Sequence, residues 1–279
     1  MQMVKVFGLM TGLTLLLVTA GAYLAGSNGA VMMFVVAAVM NFGSYWFSDR
    51  VVLRMYRARV VDRAQAPELY TMVERLAERA GLPMPLVAIS PQEQPNAFAT
   101  GRNPENGVVC FTEGILRSLS IDEIEGVAAH ELAHIKHRHM LVGTIAATMA
   151  GALAMLARMA MWGAIFAGGR SNERNNPIGE LALLIVAPLA ATILHLAISR
   201  QNEFQADRTA AQIVGSPRGL MSALARLDAQ ARRIPMQVNP AAAQLAIVNP
   251  LSGRSAGLMS LFSTHPPMEE RIRRLGEVA

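Results

Sequence analysis

The sequence has few charged residues, few aromatic residues and almost no cysteine. Charged residues make up 16% and aromatic residues 5% of the 279 positions, whereas 52% are hydrophobic. This apolar bias excludes an intrinsically disordered chain, and a single cysteine, Cys110, excludes a disulfide scaffold. Lysine is scarce as well, because Lys5 and Lys136 are the only two, so arginine carries the net charge of +5. The chain is too apolar for an ordinary soluble domain.

The longest stretch without any charge lies near the N-terminus, between Lys5 and Asp49. It is about twice as long as one bilayer crossing requires, and Ser27-Asn28-Gly29 supplies turn residues near its middle. We therefore predict two membrane spans, 6–26 and 30–48, joined by a tight turn. A cleaved signal peptide is the competing interpretation of the first span, but the stretch is too long for one and a second span follows at once.

Two further apolar runs predict a second membrane hairpin. The first begins at Met140 and continues for 18 uncharged residues, which as a helix rise about 27 Å. A polar loop separates it from a run over 181–199 that only His195 interrupts. The expected architecture is a mainly α-helical integral membrane protein with four transmembrane helices, in which 1–48 and 140–199 are the two hairpins.

The distribution of arginine predicts which side of the membrane the polar parts face. Five arginines follow the second span, the first hairpin loop has none, and the second loop balances its arginines with glutamates. The five are Arg50, Arg54, Arg57, Arg59 and Arg63. By the positive-inside rule, the polar parts 49–139 and 200–279 face the cytoplasm. The basic segment then contacts anionic lipid, and no nucleic-acid partner is needed to explain the charge.

The polar part 49–139 has the pattern of a small α+β domain. Apolar residues at helical spacing predict a helix over Pro67–Ala80. Three short apolar stretches separated by Pro, Gly and Asn predict a small sheet. They are Leu86–Ser90, Asn96–Arg102 and Gly107–Thr112. Ser120-Ile121-Asp122-Glu123 has the form of a capping box. Because no breaker follows it, the helix that starts there is free to continue past His139 into the third span.

That helix contains His130-Glu131-Leu132-Ala133-His134. Histidines four residues apart lie on one helical face, where their imidazoles can bind one tetrahedral zinc ion. Glu131 projects beside the metal and can accept a proton from the attacking water. The competing interpretation is an ordinary solvated helix face, which the rarity of the pattern and its position on a predicted helix disfavour.

Two histidines leave such a site incomplete, because catalytic zinc takes three protein ligands and keeps one open position. The fourth span returns the chain to the same side of the membrane near Ser199, so the next residues should lie beside the motif. There Glu203 and Asp207 are four residues apart on one helical face. We predict Glu203 as the third ligand and Asp207 as a carboxylate that orients a ligand imidazole. An ordinary polar helix start is the alternative, and another divalent ion is an alternative to zinc.

Taken together, these features resemble the HtpX-type membrane zinc metallopeptidases, bacterial relatives of the eukaryotic CAAX prenyl proteases. Besides the four spans and the zinc motif, three segments carry the resemblance: Asn96-Ala97-Phe98-Ala99, Glu203-Phe204-Gln205-Ala206-Asp207 and Thr264-His265-Pro266-Pro267. The resemblance implies a zincin-like catalytic domain with glutamate as the third zinc ligand. It also implies an active site on the cytoplasmic side of the bacterial inner membrane and quality-control proteolysis of misfolded membrane proteins under stress.

The resemblance gives roles to two segments that the residues alone leave open. Asn96-Ala97-Phe98-Ala99 would bind the substrate backbone as an added β-strand, although by itself it is only a short strand. His265 would stabilise the oxyanion, although its neighbouring prolines equally mark a helix start. We expect His137 to be structural and His195 to be a hydrogen-bonded interior residue. The apolar segment 233–262 is either a lid or a membrane-surface loop.

Three classes of function remain: a membrane-anchored zinc endopeptidase, a protease with its zinc motif inside a span, and a non-catalytic zinc-stabilised scaffold. Charged residues flank the motif on both sides, and burying them would disfavour a site within the bilayer. They are Asp122, Glu123, Glu125, Lys136 and Arg138. A scaffold has no need of Glu131, which is not a ligand in this scheme. We therefore expect an endopeptidase that cleaves unfolded or membrane-protein substrates.

Overall fold

A computed structural model of the chain describes residues 2–166, 200–231 and 266–278. The predicted fourth span, His195, the segment 233–262 and His265 lie outside these ranges. The described residues form a mainly helical protein with one four-stranded sheet. The third and fourth membrane spans stay predictions. The first two correspond to helices that are long and apolar enough to cross a membrane.

These two spans are the halves of helix α1 (Gln2–Trp46), which bends sharply at Ala25 and Gly26. The bend lies just before the predicted turn residues. Gly26 has a φ of 62° there, which interrupts the helix. That left-handed conformation costs glycine least. Asn41 links the two halves by donating a hydrogen bond of 2.9 Å to Thr14 Oγ1. The N-terminal region is therefore an antiparallel helical hairpin, as expected.

The basic segment after α1 is structured, although we predicted it only as a topology signal. Helix α2 (Ser48–Met55) and strand β1 (Arg59–Val61) occupy it, and Arg57, with a φ of 53°, turns the chain between them. Val52 of α2 and Tyr56 just after it are fully buried against the sheet. They are buried through contacts with distant segments, and the number of arginines in the sequence does not indicate such contacts.

The sheet begins with β1 and is completed after helix α3 (Pro67–Ala80) by three strands. They are β2 (Leu86–Ser90), β3 (Ala97–Thr100) and β4 (Val108–Thr112). The spatial order is β1-β2-β4-β3; β2 and β4 are parallel and the two outer pairs are antiparallel. The helix over Pro67–Ala80 and the three short strands are confirmed, with β3 shorter than its predicted range.

The two faces of the sheet pack against different parts of the protein. Ala97, Ala99 and Phe111 point into the main core, which is shared with α3 and the helix carrying the histidine motif. Phe98 and Cys110 point to the other face, where they pack against α2. This alternation is the period of two that strands impose. It places β3 between the helix that carries the histidine motif and α2, which follows the apolar hairpin.

The motif helix, α5 (Ile121–Lys136), follows the short helix α4 (Glu113–Ser118). The predicted capping box is present, since Ser120 and Glu123 exchange side-chain and backbone hydrogen bonds. The expectation of a continuous helix past His139 is wrong. Helix α5 ends at Lys136, Arg138 takes a φ of 57°, and helix α6 (His139–Phe166) begins immediately afterwards. The left-handed residue reorients the chain without proline or glycine.

Three more helices surround α5: α7 (Arg200–Val214), α8 (Arg218–Ala231) and α9 (Met268–Gly276). Helices α7 and α8 pack directly on α5, and α9 packs on both of them. Gly126 makes the α5–α8 contact close, because a Cβ there would lie 2.9 Å from the Cα of Leu220. The motif helix is thus fixed at the centre of the main core.

Candidate metal centre

His130 and His134 meet because α5 is regular over its whole length. Residues four apart stand one turn above each other, and their Nε2 atoms are 3.1 Å apart. His130 is almost fully buried, and His134 is partly exposed. The pair therefore forms one wall of a small polar site within a largely apolar core.

Helix α7 contributes a third candidate donor, Glu203. The carboxylate of Glu203 lies 3.4 Å from His134 Nε2 and 3.8 Å from His130 Nε2. Donor atoms at the usual distance from a tetrahedral zinc ion lie about 3.3 Å apart. The three side chains thus have both the donor chemistry and the spacing that zinc requires. No other triad of this kind occurs among the described residues.

Asp207 lies one turn further along α7 and orients the first histidine. Its Oδ1 atom is 3.0 Å from His130 Nδ1. A carboxylate on Nδ1 fixes the tautomer in which Nε2 carries the lone pair, which is the nitrogen facing Glu203. The structure therefore places Asp207 against His130, outside the group of three candidate donors.

Arg271 is a residue of this centre that the sequence analysis missed. It belongs to α9, its side chain is completely buried, and its guanidinium donates two hydrogen bonds of 2.7 and 2.9 Å to Asp207. Its Nη1 atom is also 3.5 Å from Glu203. The sequence gives only a weak indication that this arginine is buried. Arg271 shares a helical face with Met268 and Leu275, so it stands where an amphipathic helix would place an apolar residue.

Burial and the neighbouring Arg271 determine which side chains of the centre are charged. Burial opposes ionisation of Asp207, but the Arg271 guanidinium outweighs it and holds the pKa of Asp207 at about 2. Burial lowers the pKa of His134 well below its usual value, so this imidazole is neutral at pH 7. A neutral imidazole is the form that binds a metal. The centre thus combines a fixed carboxylate with an imidazole ready to bind.

Glu131 is buried beside these residues, with only 4% of its surface exposed. Burial raises the pKa of Glu131 to about 7. The charge of Glu203 raises this pKa further, whereas His130 lowers it. A carboxylate with such a pKa can both accept and return a proton near neutral pH. Glu131 directly follows His130 in α5 and is not one of the three candidate donors.

The remaining histidines of this region lie outside the triad. His137 contacts Thr209 Oγ1 at 3.0 Å and Gln205 Nε2 at 3.3 Å, so it links the end of α5 to α7. Its ring stacks on His139, with centroids 5.4 Å apart. That His137 is a structural residue stays a prediction. His265 lies outside the described residues.

Relatives of this chain occur among known proteases. The model of peptidase family M48 matches residues 63–279. The chain is 56% identical to a protease HtpX homolog from Gemmatimonas aurantiaca, with complete coverage of both chains. A protease HtpX homolog from Desulfatibacillum aliphaticivorans is 54% identical over 98% of this chain and 88% of its own. Among solved structures, Ste24p from S. mikatae shares the fold, with a TM-score of 0.50 and 21% identity over 98% of this chain and 65% of that chain.

Proposed function

The chain belongs to peptidase family M48 and is a membrane-associated zinc metalloprotease, and from that premise we propose which residues perform the reaction. His130, His134 and Glu203 hold the zinc ion. The observation that carries this assignment is their spacing of 3.1 to 3.8 Å, which matches tetrahedral coordination. A bound zinc ion supplies Lewis-acid activation of water and of the scissile carbonyl.

Glu131 moves the protons in this proposal. Its carboxylate accepts a proton from the attacking water and then donates it to the leaving amine. A pKa of about 7 suits both steps. Asp207 and Arg271 hold His130 and Glu203 in place, and His265 assists the oxyanion, a role that rests on the resemblance to HtpX-type peptidases alone.

We propose that the substrate backbone adds to the sheet beside β3. This strand is the last in the order β1-β2-β4-β3, so its outer edge has no partner strand among the described residues. Asn96 precedes it and is anchored through Thr112 Oγ1, which accepts a hydrogen bond from the Asn96 main chain at 2.9 Å. Addition of a strand at such an edge satisfies backbone hydrogen bonds whatever the side chains are. That tolerance suits a protease for unfolded chains.

The same strand is tied to the apolar helices, which favours membrane-protein substrates. Thr100 and Thr144 of α6 share a buried hydrogen bond of 3.2 Å. Arg102, just after the strand, lies 5.1 Å from the ring centre of Trp46 at the end of α1. A peptide bound along β3 therefore lies close to the bilayer. The arginines that follow α1 favour a cytoplasmic orientation in the bacterial inner membrane, with four spans in all.

The test compares Glu131→Gln with Glu125→Gln on the same helix, both in detergent with equal zinc content. New peptide termini from an unfolded substrate are mapped by mass spectrometry. We expect Glu131→Gln to lower kcat by about 10²- to 10⁴-fold, which is the usual contribution of a general base. Glu125 pairs with Arg75 at the surface, so Glu125→Gln should cleave like the wild type. Equal activity of wild type and Glu131→Gln would refute the role of Glu131.

A further inference from the structure

The two candidate histidine ligands are held in different ways. His130 is almost fully buried, and Asp207 Oδ1 lies 3.0 Å from its Nδ1 atom. His134 is partly exposed, and its Nδ1 atom takes part in no hydrogen bond or ion pair among the described residues. The torsion angle that turns an imidazole about its bond to Cβ has broad energy wells. The ring of His134 therefore needs a different support if its Nε2 atom is to stay in place.

That support consists of ring contacts. The ring centre of His134 lies 4.7 Å from that of His130 and 5.3 Å from that of His139, and the planes are tilted by 84° and 69°. Such edge-to-face arrangements are favourable because the positive edge of one ring meets the negative face of the other. His130 is itself a candidate ligand. His139 is therefore the ring that contacts His134 from outside the triad.

The chain bends sharply to bring His139 to this position. In a continuous helix, residues five apart lie about 140° apart around the axis, so His139 would face away from His134. Helix α5 instead ends at Lys136, Arg138 takes a left-handed φ of 57°, and α6 begins with His139. The break between the two helices thus turns the ring of His139 towards the second candidate ligand.

The ring of His139 is itself held in place. It is buried, and its Nδ1 atom has no hydrogen-bond partner among the described residues. It stacks on His137, with ring centres 5.4 Å apart and planes 24° apart. His137 in turn contacts Thr209 Oγ1 at 3.0 Å and Gln205 Nε2 at 3.3 Å. The stack is therefore anchored to α7, the helix that also carries Glu203.

We propose that His139 is a positioning residue of the metal centre, whose ring fixes the orientation of His134 for binding zinc. This inference rests on the proposed zinc site. It goes beyond that site because His139 is not among the three candidate donors and acts through ring packing, without giving a nitrogen to the ion. A ring without nitrogen atoms should therefore serve at position 139, whereas a side chain without a ring should not.

The experiment compares three variants at this position. His139→Ala and His139→Asn remove the ring, and His139→Phe keeps a ring but removes both nitrogens. Leu141→Ala is the matched control, because Leu141 is buried two residues further along α6 and packs against the N-terminal hairpin. For each purified protein, competition with a chelator gives the zinc affinity, and thermal unfolding gives the stability. The visible absorption bands of the Co²⁺-loaded protein report the coordination geometry.

We expect His139→Ala and His139→Asn to bind zinc about 10-fold more weakly than the wild type, a usual cost of losing a supporting contact, and to shift the Co²⁺ bands. His139→Phe should bind zinc within about threefold of the wild type, with unchanged bands. Leu141→Ala should lose thermal stability and keep its zinc affinity, because a cavity in the apolar core destabilises the fold without touching His134.

Three results would overturn the proposal: zinc binding by His139→Phe as weak as by His139→Ala, unchanged binding in both variants without a ring, or an equal loss of affinity in Leu141→Ala. If His139→Phe does not fold, the comparison of His139→Asn with Leu141→Ala decides. Failure of the wild type itself to bind zinc would instead refute the proposed zinc site, so the two failures are distinguishable.

Discussion

Two pairs of histidines lie within ten residues of each other, and the structure uses them differently. His130 and His134 converge on Glu203 in a buried site, whereas His137 and His139 stack on one another beside it. The first pair is on one continuous helix, and the second lies on either side of Arg138, in the break between α5 and α6. Carboxylates from α7 reach only the first pair within ion-pair distance among the described residues. The first pair thus has two features that the second lacks: both histidines lie on one face of one helix, and an acidic residue of α7 faces them.

The largest predicted effect separates the two pairs directly. His134→Ala removes a zinc ligand, so zinc affinity should fall by more than the roughly 100-fold that loss of a supporting contact costs, and cleavage should be lost. His137→Ala should keep stoichiometric zinc and change kcat/KM by less than about threefold, because it removes contacts to Thr209 and Gln205 only. Zinc content by mass spectrometry and peptide cleavage are the measurements. Loss of zinc in both variants would contradict the distinction between the pairs.

The next effect concerns Arg271, which pairs with the carboxylates that face the first pair of histidines. Arg271→Ala leaves Asp207 and Glu203 as buried carboxylates without their counter-ion, which costs about 3–5 kcal/mol of stability. The matched change is Arg273→Ala, two residues away on the same helix. Arg273 forms an exposed ion pair with Glu277, so this variant should lose less than about 1 kcal/mol. Thermal unfolding in detergent measures both, and similar shifts in the two variants would argue against a structural role for Arg271.

The smallest effect concerns acid stability. The folded-state pKa of Asp207 is about 2, below the value of about 3.9 for an unfolded chain. Asp207 therefore stabilises the fold above about pH 4, and this contribution of about 2 kcal/mol is lost as the pH falls from 4 to 2. Thermal unfolding of the metal-free protein across that range checks the sign. Asp207→Asn should flatten the dependence; an unchanged dependence in this variant would refute the assignment.

The parts of the structure that were predictable are those with local causes. The helix over Pro67–Ala80 has apolar periodicity, a proline at its start and Gly81 at its end, and the capping box at Ser120 has a fixed spacing. Glu203 was predicted on a different ground, the chain topology, in which two predicted membrane hairpins return the chain to one side.

The parts that were missed depend on contacts between distant segments. Arg271 lies in a stretch of glutamates and arginines that has the composition of a surface helix, and its burial arises only when α9 packs on α7 and α8. Strand β1 has three residues and exists because β2 offers a pairing edge. The end of α5 at Lys136 requires Arg138 in a left-handed conformation, for which arginine has no preference.

The assignment of His130, His134 and Glu203 as metal ligands can be tested directly. Diffraction from crystals of the zinc-loaded protein, collected on both sides of the zinc absorption edge, locates the ion independently of any assumed ligand. We expect one anomalous peak at about 2.0–2.2 Å from a nitrogen of each histidine and from an oxygen of Glu203. A peak centred on His137 and His139, or one without Glu203 as a neighbour, would contradict it.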